Sequence, residues 1–92
     1  MKREIHFIPS AEVCSKEILI ELEDDRIIRV CFTGGCHGNT QGISRLVEGR
    51  PAKEVIQALS GIRCGMKKTS CPDQLSIALQ QMLDEKNNPQ AF

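Results

Sequence analysis

Five cysteines, Cys14, Cys31, Cys36, Cys64 and Cys71, are the densest concentration of reactive chemistry in this 92-residue sequence. Residues 64 to 73, CGMKKTSCPD, hold two of them with two lysines between. A thiolate binds metal and attacks sulfur, so what matters is which positions favour that form. Cys36 lies in a glycine-rich turn before an expected helix, and Cys71 lies where the last helix should begin. Helix N-termini carry unpaired N–H groups and a partial positive charge, which favour a thiolate, and Arg63, Lys67 and Lys68 act in the same direction. Cys14 and Cys64 also fall at expected element ends, where sites are normally assembled. Cys31 falls in mid-strand and is the weakest candidate.

The opening MKREIHFIPS lacks the apolar stretch of a signal peptide, and the expected location is cytoplasmic. Cytosolic thiols stay reduced, so a disulfide scaffold is disfavoured and metal binding, redox work and plain burial remain open. The chain contains no CxxC pair, and its cysteine separations match no zinc-ribbon or ferredoxin pattern. His37, directly after Cys36, is either an extra ligand or proton carrier or a solvated group; His6 merely alternates within an expected strand. GGCHGN lacks both the P-loop lysine and the dinucleotide fingerprint, so its glycines read as a tight turn around Cys36. No carboxylate pair or Ser/His/Asp set supports acid–base hydrolysis.

Lysine plus arginine, 12, equal aspartate plus glutamate, 12, which leaves no electrostatic footprint for nucleic acid or a polybasic membrane segment. Three phenylalanines without Trp or Tyr offer no base-stacking platform. No apolar run approaches the ~18 residues of a membrane span. The length predicts a single domain over 1–92, with one modest core and no large enclosed cavity.

Positioning falls to six expected elements. REIHFIP reads as a first strand with Ile5 and Phe7 on one side, stopped by Pro9, and residues 1–13 form this strand and a linker. Residues 16 to 33 read as a hairpin turned at EDDR. Its first strand places Ile18, Ile20 and Leu22 on one face; its second places Ile28, Val30 and Phe32 on one face and Ile27, Arg29, Cys31 and Thr33 on the other. A helix is expected over about Thr40–Glu48 with Ile43, Leu46 and Val47 inward, ended by Gly49. Pro51 suits the first turn of a second helix, whose stripe is Ala52, Val55, Ile56 and Leu59, with Gly61 as its stop. Ser70 and Asp73 resemble a capping box for the last helix, which buries Leu75, Ala78, Leu79, Met82 and Leu83. Residues 86–92 read as a frayed tail. The fold class is therefore α+β, a small three-stranded antiparallel sheet in βββααα order with helices on one face.

TSCPDQL at 69–75, CG at 64–65 and GGCHGNTQGISRLVEG at 34–49 resemble the TSCPD domain, named for that pentapeptide. Such domains stand alone or lie near the C-terminus of adenosylcobalamin-dependent ribonucleotide reductases. The resemblance implies a link to deoxyribonucleotide and DNA synthesis and a reductase as partner, with adenosylcobalamin entering only through that partner. Ninety-two residues cannot enclose a radical, a cobalamin and a nucleotide, so an accessory role is implied rather than catalysis by this chain alone. One such role is a metal-stabilised docking module. Another is a thiol carrier, which requires two cysteines with Cα atoms within about 7 Å; Cys64 and Cys71 are nearest in sequence.

The layout also resembles the U-type iron–sulfur scaffold proteins. In these, one cysteine precedes a β-hairpin, a second sits in a glycine turn before a helix, and a third opens the last helix. Cys14, Cys36 and Cys71 are similarly placed. Ser15 and Lys16 follow Cys14 where the scaffold has glycine and a ligating aspartate, and Cys64 would replace that carboxylate. The two resemblances together imply a zinc or iron–sulfur site of Cys14, Cys36, Cys64 and Cys71. They also admit a cluster scaffold or sulfur acceptor served by a delivery protein, and, as a third reading, an interaction module with buried cysteines.

Overall fold

The computed structural model describes residues 2–11, 13, 15–34, 37–63, 65–66 and 68–87, with the backbone alone at 37–39 and 86–87. Three strands, β1 (Lys2–Phe7), β2 (Ser15–Glu23) and β3 (Arg26–Gly34), precede three helices, α1 (His37–Val47), α2 (Ala52–Leu59) and α3 (Cys71–Asn87). The strands form one antiparallel sheet in the order β1-β2-β3. The helices cover one face, giving the α+β class that the alternating and helical apolar patterns predict. No helix among the described residues is long and apolar enough to cross a membrane.

The core follows those patterns where they are regular. Ile18, Ile20 and Leu22 of β2, Val30 of β3, Ala52 and Val55 of α2, and Leu75, Ala78, Leu79, Met82 and Leu83 of α3 are buried together, with Ile5, Phe7 and Phe32 packed against them. Each fully buried aliphatic side chain contributes about 1.5–3 kcal/mol. Arg3 ties β1 to the far end of α3, donating to the Met82 carbonyl at 2.7 Å and pairing with Glu85 at 3.1 Å.

At the start of β3 the structure departs from strict alternation. Ile27 is fully buried and Ile28 is 38 % exposed, the reverse of the expected faces. The cause is a β-bulge: Leu22 pairs with Ile27 while Glu21 pairs with Arg29, so Ile28 is the extra residue and every side chain before it changes face. The outer edge of Ile27 is held as well. Its N–H donates to the Arg50 carbonyl at 2.9 Å, and its carbonyl accepts from Gly49 N–H at 2.7 Å. The Ala52 N–H closes the same patch on the Asp25 carbonyl at 2.7 Å. The α1–α2 connection thus covers this end of the β3 edge.

The helices differ from expectation in smaller ways. α1 begins at His37 rather than Thr40, and its inward stripe is Thr40, Ile43, Ser44 and Val47. Leu46, about 100° from Val47 around the helix, is 68 % exposed. Pro51 caps α2 from outside with an extended backbone, ψ 135°, instead of occupying its first turn. The last helix includes Lys86 and Asn87, so two residues of the expected tail are helical; 88–92 lie outside the described residues.

The bulge predicts unequal costs for neighbouring isoleucines. Ile27→Ala should lose about 2–5 kcal/mol in urea denaturation. Ile28→Ala should stay within about 1 kcal/mol. Equal losses would contradict the bulged register.

Candidate functional site

Cys71 is the first residue of α3, as its sequence context predicts. Ser70 caps the helix: the Asp73 N–H donates to Ser70 Oγ at 3.2 Å, and the Ser70 hydroxyl donates to the Ile62 carbonyl at 2.6 Å. Pro72, one residue after Cys71, needs no N–H partner in the first turn. Asp73 completes only half of a capping box. Its two oxygens accept from the Gly61 N–H at 2.7 Å and the Thr69 hydroxyl at 2.5 Å. Gln74 joins the network, donating from Nε2 to Thr69 Oγ1 and accepting the Ser10 N–H at Oε1, each at 3.0 Å. The polar residues around Cys71 therefore lace the loop before α3, and the segment after β1, onto the helix start.

A second bulge brings β2 to the same place. Ser15 pairs with Gly34 and Glu17 with Thr33, so Lys16 is the extra residue. Without it Ser15 would face away from Ile18; with it, Ser15 turns inward and is 4 % exposed. Its Oγ lies 2.9 Å from Cys71 Sγ, with either atom able to donate. Sequence reasoning about ligands passed over Ser15, because nothing in CSK shows that a bulge reorients it toward a residue 56 positions away.

Cys14, Cys36 and Cys64, three of the four predicted ligands, lie outside the described residues, as does Lys67. Their described neighbours come together. Ser15, which follows Cys14, touches Cys71; Gly34, two residues before Cys36, pairs with Ser15; Ile62, two residues before Cys64, accepts from Ser70. Among the described residues, no group of three or more His, Cys, Asp or Glu side chains is arranged to hold a metal ion.

Cys31 stands apart. It is exposed on the outer face of the sheet opposite Leu19, whereas Cys71 is half-buried beside the inward-facing Ser15. His6 is also on the outer face, with Nδ1 2.9 Å from Glu17 Oε1 and Nε2 3.7 Å from Glu4. The Glu17 hydrogen bond is the main cause that raises its pKa above the ordinary 6.5; desolvation opposes it, and the charges of Glu17 and Glu4 add lesser raising effects. The His37 side chain is outside the described set.

Two predictions follow from these contacts. Asp73→Ala leaves the Gly61 N–H and the Thr69 hydroxyl without their acceptor and should cost about 1–3 kcal/mol in urea denaturation. For His6, the raised folded-state pKa means that its ion pairs stabilise fully below the unfolded value of 6.5, and that this contribution is lost as pH rises through the folded value. The difference in melting temperature between wild type and His6→Gln should therefore be larger at pH 5.5 than at pH 9; a difference independent of pH would contradict the pairing.

The family model for the TSCPD domain matches residues 1–83. No curated protein and no solved structure matches the chain.

Proposed function

The chain belongs to the TSCPD domain family, and from that premise we propose that it is an accessory domain of ribonucleotide reduction, and so of deoxyribonucleotide and DNA synthesis. Its Cys14, Cys36, Cys64 and Cys71 hold zinc or an iron–sulfur cluster, and its partner is a reductase that carries the adenosylcobalamin.

The observation that supports this reading is the junction at Cys71. Ser15 on β2 is paired with Gly34 on β3 and lies in hydrogen-bond contact with Cys71 at the helix start, and Ser70, the residue before Cys71, donates to the Ile62 carbonyl in the loop before α3. Cys14, Cys36 and Cys64 themselves lie outside the described residues, and their part in the site is the proposal. Four thiolates suit a closed tetrahedral zinc site or a cluster. Either group would supply a crosslink between the hairpin, the loop before α1 and the loop before α3, and a cluster would add one-electron chemistry. The chain's own part is to hold Cys71 at the helix start through the Ser70 cap and the Asp73 clamp.

A second reading, a cluster scaffold or sulfur acceptor, is favoured by the partial exposure of Cys71. The interaction module with buried cysteines has less support, because Cys31 is exposed and Cys71 only half-buried.

The test is elemental analysis of protein purified without oxygen and without a histidine tag, followed by titration of the loaded protein into an adenosylcobalamin-dependent reductase. About one equivalent of zinc, or iron with matching sulfide, is expected, lost in Cys36→Ala/Cys71→Ala and kept in Cys31→Ala. Saturable binding to the reductase is expected from the loaded protein. Well-folded, metal-free wild type would overturn the metal site, and no binding would overturn the accessory role.

A further inference from the structure

We infer that Ser15 is a positioning residue for the Cys71 sulfur, an inference that rests on the thiolate site proposed above. A serine 4 % exposed on the core face of β2, in line with Ile18 and Ile20, occupies a place where an apolar side chain would be the simpler choice. A hydroxyl buried there is unfavourable unless it is hydrogen-bonded, and its bond is to Cys71 Sγ at 2.9 Å. The bulge at Lys16 is what aims it, at the cost of a regular ladder between Ser15 and Glu17.

The direction of that bond matters for a ligand. A thiol can donate or accept, but a metal-bound thiolate can only accept. Serine is able to donate, so the contact survives loss of the sulfur's proton, which an acceptor-only partner could not achieve. The bond also holds the half-buried side chain of the first residue of α3 against β2. Outer partners of this kind orient metal ligands, and removing one typically costs about 10–100-fold in metal affinity. The polar network on the other side of the helix start, Thr69, Ser70, Asp73 and Gln74, fixes the backbone of Cys71; Ser15 fixes its sulfur.

Ser15→Ala and Ser15→Thr decide the matter. In the zinc-loaded protein, release of metal to a chelator should be about 10–100-fold faster in Ser15→Ala and near the wild-type rate in Ser15→Thr, which keeps the hydroxyl. In cobalt(II)-substituted protein, the sulfur-to-cobalt charge-transfer band should move to lower energy in Ser15→Ala, since a sulfur relieved of a hydrogen bond gives up its electrons more easily. A purely structural role would lower the melting temperature without moving that band. Unchanged release and an unchanged band in a folded Ser15→Ala protein would overturn the inference. The metal-free protein separates this failure from failure of the site itself. The infrared S–H stretch should differ between wild type and Ser15→Ala, and the difference should vanish when both carry Cys71→Ala. A wild type that takes up no metal but shows that difference would defeat the metal site while upholding Ser15 as the partner that orients Cys71. Absence of the difference would overturn the Ser15 contact whatever the metal content.

Discussion

The β2–β3 ladder carries one extra residue on each strand, and these two offsets govern what the domain buries. At the hairpin end, the extra Ile28 turns Ile27 into the core. At the open end, the extra Lys16 turns Ser15 inward against the start of α3. Between the two, from Glu17 to Glu21, pairing is regular, and Ile18 and Ile20 of β2 join Val30 of β3 in the core. A bulge changes the face of every residue beyond it, so one local irregularity at each end serves packing at one and assembly of polar groups at the other.

The pentapeptide TSCPD acquires a physical meaning in this setting. Thr69 and Asp73 bond each other, Asp73 reaches back to Gly61, Ser70 caps α3 and holds Ile62, and Pro72 occupies a first-turn position where no N–H is needed. Four of its five residues thus fix the loop and helix start, and the fifth, Cys71, is left half-buried with its sulfur against Ser15. Buried polar groups that are fully partnered specify one arrangement of the chain more sharply than apolar contacts do. The Cys71 sulfur is thereby placed beside Ser15 on a helix start whose backbone this network holds.

The two faces of the sheet divide the remaining polar chemistry. The outer face carries His6, Glu4, Glu17 and Cys31 in solvent-accessible positions. The helical side carries the core, and its open edge carries the Cys71 junction. Cys31 and Cys71 belong to different environments although both are cysteines in the same small domain. On the outer face the hydrogen bond to Glu17, with the charges of Glu17 and Glu4, raises the pKa of His6.

Much of this was legible from residue order. Local patterns mark the six elements, the inward residues of β1, β2, α2 and α3, the Ser70 cap and the place of Cys71 at a helix start, because periodicity and capping depend on neighbours a few positions away. Tertiary structure alone decided that Ile27 and not Ile28 is buried, since a bulge depends on how a partner strand pairs. It decided that Asp73 serves Gly61 and Thr69 rather than closing a capping box, since its acceptors could be filled from either side. It also exposed Leu46, which lies off the stripe that includes the polar Thr40. And it joined Ser15 to Cys71 across 56 residues, a contact that no local pattern encodes because it exists only when the sheet edge and the last helix pack together.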